Sequence, residues 1–387
     1  MPISRRNLLR RITTGAAATA AAPLLTEIAL GAVRGGVRLP EGADKGARPI
    51  RLSRNENAYG PSPNVTATMQ EAALNAACRY PELEVDALRN KVAALHGVTP
   101  DRIVLGCGSS DIMRIVVDSF VGPGRKLVAA LPTFDLIPDF ARRAGAEVVL
   151  VALSNDYSHD LQAMLARTDA ATGLVYICNP NNPTGSLTRR QDIETFIRSL
   201  PPTTHVLIDE AYHHYVSPSA EYASFIDRPL DDERVIVTRT FSKIYALAGL
   251  RVAYAVAAGP TARLLNSRCL PEDVNIIAAK AAIAALDDTD YVLQCLKRNA
   301  DDRQEFFNQL NARMVRAIDS HANFVMVNTA RPAVDVIEHF SKNNITLPQP
   351  FPSFDKHIRV SIGTTAEMSE FWRVWDLMPV VHDMAHE

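Results

Sequence analysis

Short β-rich segments alternate with amphipathic stretches along most of this chain, and this order constrains the fold more than any other feature. Several of these segments are followed directly by residues that can carry chemistry. Such alternation predicts an α/β fold, a mostly parallel sheet flanked by helices on both faces, in which ligands bind beyond the carboxyl ends of the strands. The predicted strands cover residues 103–105, 126–130, 147–152, 174–178, 206–208, 235–238 and 252–257.

The later part of the chain predicts a second, smaller α/β domain. Helical periodicity begins near residue 264, and two short strand-like runs, 324–327 and 358–362, have one predicted helix between them and another after them. With 387 residues, of which 47% are hydrophobic, the chain is long enough to form two domains. The expected divisions are a leader over 1–32, an N-terminal arm over 33–64, a large domain over 65–265 and a small domain over 266–387.

The N-terminal residues are typical of an export signal. Residues 4–11 read SRRNLLRR and precede a weakly apolar run over 12–33 that contains Pro23 and Glu27. This pattern resembles a twin-arginine leader and is too polar for a stable membrane anchor. It predicts an exported or periplasmic protein, cleaved between about residues 22 and 32. The alternative is a basic tail on a cytoplasmic protein.

Charge and cysteine content exclude several classes of protein. The net charge is −2, with 41 Lys and Arg against 43 Asp and Glu, so no broad basic surface is available for nucleic acid. The 5 cysteines show no C-x-x-C spacing, which argues against a zinc site and against a disulfide framework. We therefore expect neither a nucleic-acid partner nor a metal.

The segment 238–251 contains the strongest chemical signal in the chain. It places Lys243 between hydroxyl-bearing residues and eight positions before Arg251. A lysine whose pKa is lowered can form a Schiff base with an aldehyde, and an arginine nearby can bind a phosphate. Together they indicate a site for an aldehyde cofactor that carries a phosphate.

Two further motifs follow predicted strands. Residues 106–111 read GCGSSD and open an apolar helix, so free backbone N–H groups and the hydroxyls of Ser109 and Ser110 form a candidate anion site. An ordinary strand-to-helix turn is the alternative. Residues 179–185 read NPNNPTG, and their two prolines fix the backbone so that Asn182 can hydrogen-bond a phenolate oxygen.

An acidic residue follows the apolar run 206–208. A carboxylate as deep as that of Asp209 needs a cationic partner, and a protonated pyridine nitrogen is one. Tyr212, three residues later, could share the phenolate oxygen with Asn182. The alternatives for Asp209 and Glu210 are a solvated pair in a loop or an acidic pair that binds a metal.

Taken together, these motifs resemble those of the fold-type I pyridoxal-phosphate aminotransferases, most closely the histidinol-phosphate aminotransferase branch. The resemblance extends from about residue 52 to the last helix. It includes NEN at 55–57, RYPE at 79–82, PTF at 132–134 and IRVSIGT at 358–364.

The resemblance implies a role for each matching residue. Lys243 would form the internal aldimine with pyridoxal 5'-phosphate and move a proton, Asp209 would hold the pyridine nitrogen, and Asn182 and Tyr212 would hold the phenolate. The phosphate would be bound by Ser109, Ser110, Thr240, Ser242 and Arg251, and Phe134 would stack on the ring.

The family also implies a homodimer with shared active sites. Tyr80 would reach the phosphate bound by the neighbouring subunit, and Arg359 would hold the substrate α-carboxylate with two parallel hydrogen bonds. Asn57 and Tyr59 of the arm are candidate substrate-pocket residues. The partners are then a small-molecule amino donor and a 2-oxo acid acceptor.

One departure from the family bears on the substrate. Histidinol-phosphate aminotransferases usually carry an arginine that reads the substrate phosphate before the strand of Arg359, and residues 344–352 contain none. This favours an amino-acid transaminase with an aromatic or other apolar donor. A pyridoxal-phosphate lyase, an amine oxidase and a non-catalytic aminotransferase-like binding protein are the alternatives.

Overall fold

The structure is a computed structural model that describes residues 49–270 and 272–379. The expected leader and residues 33–48 of the expected arm lie outside the described residues. The strands are β1 (Ile50–Arg51), β2 (Ile103–Gly106), β3 (Lys126–Leu131), β4 (Glu147–Ala152), β5 (Thr172–Cys178), β6 (His205–Asp209), β7 (Val235–Thr240), β8 (Ala253–Ala257), β9 (Arg316–Ala317), β10 (Phe324–Asn328), β11 (Ile345–Thr346) and β12 (His357–Ser361).

Helices follow most of the strands. The helix Glu82–His96 is followed by Gly97, whose left-handed backbone, with φ 62°, is the conformation that favours glycine after a helix C-terminus. The helices are α1 (Pro63–Asn75), α2 (Glu82–His96), α3 (Ser109–Phe120), α4 (Leu136–Arg143), α5 (Leu161–Leu165), α6 (Arg190–Ser199), α7 (Gly259–Asn266), α8 (Ile276–Asp287), α9 (Thr289–Ala312), α10 (Ala333–Lys342) and α11 (Thr365–Asp376).

Seven of the described strands form one sheet in the order β2-β8-β7-β6-β5-β3-β4. The neighbours from β7 to β4 are parallel, whereas β8 is antiparallel to both β7 and β2. Each of the predicted runs lies at one of these strands. The mixed, mostly parallel sheet flanked by helices confirms the predicted fold class.

The antiparallel direction of β8 follows from the length of the connection before it. Residues 241–252 join β7 to β8 without an α-helix, and parallel neighbours need a longer crossover. The Phe241 N–H donates to the Val252 carbonyl at 3.2 Å and closes this loop. The chain therefore turns back at the carboxyl end of β7 and places Lys243 and Arg251 there.

Both faces of the large sheet are buried. On β5, Val175 and Ile177 contribute to one apolar cluster, while Leu174, Tyr176 and Cys178 contribute to another. Since successive side chains of a strand point to opposite faces, the two clusters lie on the two sides of the sheet. Polar groups at the strand ends are thereby held by a packed core.

A second, three-stranded antiparallel sheet has the order β12-β10-β9. In its register Met326 of β10 pairs with Arg359 of β12. Its apolar cluster includes Phe340 of α10 and Phe371 of α11, whose ring centroids lie 4.6 Å apart. The strands and helices expected here are present, whereas the boundaries between domains stay a prediction.

The arm joins this second region through β1, which pairs in parallel with β11, Ile50 opposite Ile345. Leu52 is buried in the same cluster as Phe340 and Phe371. Within residues 49–270 and 272–379, no helix is both long enough and apolar enough to span a bilayer. The expectation that the chain has no stable membrane anchor also concerns the leader, which is not described.

Candidate active site

The carboxyl ends of β5, β6 and β7 meet at one edge of the large sheet. The Asn179 N–H donates to the Asp209 carbonyl at 2.9 Å, and the Thr238 hydroxyl donates to Asp209 Oδ1 at 3.4 Å. Parallel neighbours bring their carboxyl ends to the same edge, so three of the predicted motifs converge here.

Asp209 is a buried carboxylate, with 3% of its surface exposed. Its Oδ2 accepts from the Tyr176 hydroxyl at 3.0 Å, and its Oδ1 accepts from the Ala211 N–H at 3.0 Å. Burial raises the pKa of this carboxyl group to about 6, while those hydrogen bonds oppose the rise. A cation placed beside Asp209 would favour the ionised form, as a protonated pyridine nitrogen does.

Glu210 belongs to a different environment. It forms an ion pair with Arg239 at 3.0 Å, and both side chains are buried. The Phe225 N–H and the Ser224 hydroxyl also donate to its carboxylate, at 2.7 and 2.6 Å. Asp209 and Glu210 are therefore not a solvated pair. Among the described residues, no three His, Cys, Asp or Glu side chains are grouped so that they could hold a metal.

Lys243 lies on the β7–β8 connection with its amine inside the site. Its Nζ donates to the Arg54 carbonyl at 3.0 Å and lies 5.6 Å from the centroid of the Tyr212 ring. Burial and then the charge of Arg359 lower the pKa of this amine to about 8, against the opposing effect of Glu56 and Asp209. The neutral, nucleophilic amine is thus accessible near physiological pH.

An anion cradle lies where α3 begins. Gly108 precedes the helix with φ 83°, and a Cβ at this position would lie 2.3 Å from Arg251 Nη2. The Arg251 guanidinium therefore covers the backbone of the glycine. Its Nη1 donates to Ser242 Oγ at 3.4 Å, and Thr240 Oγ1 donates to the same hydroxyl at 2.9 Å.

Ser109 and Ser110 are the first residues of α3, so the helix N-terminus points into the same cradle. Backbone N–H groups at a helix start, two serine hydroxyls and an arginine are a donor set suited to a phosphate. The structure brings Thr240, Ser242 and Arg251 together beside Gly108, and Ser109 and Ser110 follow Gly108 in the chain. This donor set fits the phosphate of pyridoxal 5'-phosphate, and its role as the phosphate site stays a prediction.

Arg359 lies on β12, and its Nε donor has no hydrogen-bond partner among the described residues. Its Nη1 donates to Asn182 Oδ1 and its Nη2 donates to the Ser53 carbonyl at 2.7 Å, whereas its Nε is buried without a partner. Burial lowers the pKa of the guanidinium. An unpaired buried donor is costly, and a substrate carboxylate would satisfy it. The amide oxygen of Asn182 accepts from Arg359, and a contact of its Nδ2 with the phenolate stays a prediction.

Tyr212 reveals a site residue that the sequence analysis missed. Its hydroxyl accepts from Asn55 Nδ2 at 3.0 Å, and burial raises the pKa of this phenol. Asn55 has φ 53°, its N–H donates to Ser361 Oγ at 2.8 Å, and its carbonyl accepts from Asn323 at 3.1 Å. The sequence feature that could have indicated Asn55 is its residue type, the first Asn of the NEN motif, because Asn adopts the left-handed region more readily than most residues.

The predicted pocket residues of the arm have structural contacts instead. Asn57 Nδ2 donates to the Ile244 carbonyl at 3.0 Å, beside Lys243. The Tyr59 hydroxyl donates to Asp302 Oδ2 at 2.7 Å, on α9. Asn57 fixes the arm to the β7–β8 connection and Tyr59 fixes it to α9, and the contact of either residue with a substrate stays a prediction.

Phe134 and Tyr80 differ in their environments. Phe134 is half-buried against the cluster beneath α3, and the preceding Thr133 Oγ1 donates to Asn181 Oδ1 at 2.9 Å, which ties the two loops together. Tyr80 is 74% exposed between α1 and α2. Its predicted role in a neighbouring subunit is left untested by a single chain.

Comparison with known proteins identifies the family. Residues 47–374 match the family of class I and II aminotransferases. The histidinol-phosphate aminotransferase of Moorella thermoacetica is 34% identical over 325 residues, 84% of each chain, and histidinol-phosphate aminotransferase 1 of Dechloromonas aromatica is 36% identical over 83% of this chain and 88% of its own. The crystal structure of histidinol-phosphate aminotransferase from Sinorhizobium meliloti in complex with pyridoxal-5'-phosphate has a TM-score of 0.78 and 29% identity, covering 84% of this chain and 88% of that one.

The chain therefore belongs to the class I and II aminotransferases, which share the fold-type I architecture. It is a pyridoxal-phosphate-dependent aminotransferase, and its substrates are an amino donor and a keto acid.

The anion cradle gives a prediction for Gly108→Ala. A methyl group there would displace the Arg251 guanidinium, and the loss of a charge-assisted hydrogen bond is expected to raise the Kd for pyridoxal phosphate at least about tenfold. Gly124→Ala is the matched control, because Gly124 has φ 76° and no atom within 4 Å of a Cβ. Fluorescence titration of the two apoenzymes measures the Kd, and equal values would contradict the cradle.

The lowered pKa of Lys243 gives a second prediction. The rate at which apoenzyme reacts with pyridoxal phosphate should rise with pH as the amine loses its proton, with a midpoint near 8. Arg359→Gln removes a positive charge that disfavours the protonated amine, so its midpoint should move to higher pH. Stopped-flow absorbance follows the reaction. Arg313→Gln, an arginine paired with Asp376, should leave the midpoint unchanged, and a midpoint above 10 in the wild type would contradict the assignment.

Proposed function

We propose that this aminotransferase moves an amino group between an amino acid and a 2-oxo acid, with Lys243 as the residue that carries the cofactor and transfers the proton. The observation that supports this most is the position of Lys243. Its amine lies near Tyr212 and within the electrostatic reach of Asp209, Arg251 and Arg359, so groups suited to a ring, a phosphate and a carboxylate surround one nucleophile.

Bound pyridoxal phosphate supplies an aldehyde carbon and an electron-withdrawing pyridinium ring that stabilises negative charge at the substrate α-carbon. Asp209 would keep the pyridine nitrogen protonated, and the Tyr212 hydroxyl and the Asn182 amide would hold the phenolate oxygen. Arg251, the hydroxyls of Thr240 and Ser242, and the N-terminus of α3 with Ser109 and Ser110 would hold the phosphate. Phe134 would hold the ring by stacking on it.

Lys243 and Arg359 act on the substrate. The Arg359 guanidinium binds the α-carboxylate through Nε and one Nη, which satisfies its unpaired donor and orients the α-carbon. The neutral Nζ of Lys243 would then remove the α-proton as general base and deliver the same proton to the former aldehyde carbon of the cofactor, which completes the 1,3 proton shift. A pKa near 8 suits this role, because the amine exchanges protons readily near neutral pH.

A half-reaction tests this mechanism. Amino acid added without a keto acid should change the visible absorbance of the bound cofactor in a single turnover, because the amino group stays on the enzyme. Lys243→Ala should bind pyridoxal phosphate noncovalently, and the rate of this absorbance change should fall by at least about a thousandfold. Lys280→Ala, a lysine paired with Glu71, is the control.

Repeated turnover with release of ammonia in the absence of a keto acid would instead indicate elimination or oxidation. Retention of the half-reaction in Lys243→Ala would contradict the proposed base.

We propose in addition a homodimer in which Tyr80 approaches the partner's phosphate site. The exposed Tyr80, with Leu83 exposed beside it, supports a protein contact at this surface. A solution mass of one chain at micromolar concentration would contradict the dimer.

The leader supports a proposal of export by the twin-arginine route in the folded state. Arg5 and Arg6 form the pair that this route reads. Replacement of both by lysine should retain the full chain in the cytoplasm of an expressing cell. If the wild type and the double-lysine variant distribute equally between the cytoplasm and the periplasm, export by this route is contradicted.

A further inference from the structure

Arg359 lies between two aromatic rings of different exposure. Its Cζ is 5.4 Å from the centroid of Phe324 and 5.3 Å from that of Phe351. Phe324 is fully buried in β10, whereas Phe351 is half-buried in the connection between β11 and β12. A substrate held by Arg359 can therefore meet the Phe351 ring.

Buried apolar side chains support this ring. Phe351 and Tyr157 pack against a cluster formed by Ile318, Met326 and Phe354. Met326 is the cross-strand neighbour of Arg359, and paired residues of an antiparallel sheet point to the same face. The apolar cluster thus begins next to the guanidinium that holds the α-carboxylate.

The segment beside Arg359 supplies no second cation for a phosphate, which in histidinol phosphate takes the place of the α-carboxylate of an amino acid. Residues 344–352, which contain Phe351, carry no Arg, Lys or His. A phosphate monoester carries a charge of about −1.5 to −2 at neutral pH, which a single guanidinium does not neutralise.

We infer that Phe351 determines the donor specificity of the proposed transaminase: its ring, 5.3 Å from the Arg359 Cζ, receives an aromatic or large apolar side chain. This inference rests on the proposed function. It assigns the donor to the neutral, apolar amino acids, although relatives of this chain are histidinol-phosphate aminotransferases.

A panel of donors tests the inference on the holoenzyme. The half-reaction is followed through the cofactor absorbance with phenylalanine, leucine, alanine, glutamate and histidinol phosphate, and each rate is divided by the donor's Kd. Phenylalanine should exceed alanine by about 10- to 200-fold, the range that apolar pocket contacts supply. It should exceed histidinol phosphate by at least about 100-fold, the upper part of that range.

Two variants locate the specificity. Phe351→Ala should reduce the ratio of rate to Kd for phenylalanine at least about tenfold. The same ratio for alanine should change by less than about twofold, because the alanine side chain cannot reach the ring. Phe351→Arg should raise the value for histidinol phosphate at least about tenfold by adding a phosphate-binding cation. Ser353→Arg adds the same charge at an exposed position two residues away and should change neither donor.

The Tm and the cofactor absorbance of each variant show whether it is folded and loaded. Phe351→Leu keeps an apolar side chain and should retain most of the preference for phenylalanine, which provides a second variant if Phe351→Ala does not fold.

Different failures have different meanings. If no donor changes the cofactor absorbance, the proposed transaminase function is overturned. The function stands and the specificity inference is overturned if donors react but the wild type prefers histidinol phosphate. The same conclusion follows if Phe351→Ala lowers the ratio of rate to Kd equally for alanine and phenylalanine.

Discussion

The site depends on one buried carboxylate. Asp209 sits at the end of β6 with 3% of its surface exposed, and removal of water disfavours its ionised form. Tyr176, Thr238 and the backbone of Ala211 offset part of this cost. A cationic ligand beside this carboxylate would offset the remaining cost. The short connection after β7 brings Lys243 and Arg251 to the same edge of the sheet.

Local signals explain why much of this arrangement could be predicted from the sequence. Strand-forming runs are recognised from residues within them, and the polar residue after each run marks a carboxyl end. Parallel neighbours must present these ends at one edge, so the sequence alone predicts that the motif at 179–185 and Asp209 lie at the same edge. The roles assigned to the individual side chains stay predictions.

Contacts between distant segments could not be predicted in this way. Asn55 bonds Tyr212 and Ser361, residues 157 and 306 positions away, and no periodicity encodes either pair. The antiparallel direction of β8 and the position of the Phe351 ring, 5.3 Å from the Arg359 Cζ, depend likewise on how loops close. The ion pair between Glu210 and Arg239 also separates two neighbouring acidic residues into different environments, which the sequence left open.

The ionisation state of the bound cofactor tests the role of Asp209 most directly. Holoenzyme loaded with pyridoxal phosphate labelled with ¹⁵N in the ring can be examined by NMR at neutral pH. The account predicts the chemical shift of a protonated pyridine nitrogen in the wild type and that of a neutral nitrogen in Asp209→Asn. A neutral nitrogen in the wild type, or a protonated one in both proteins, would contradict it.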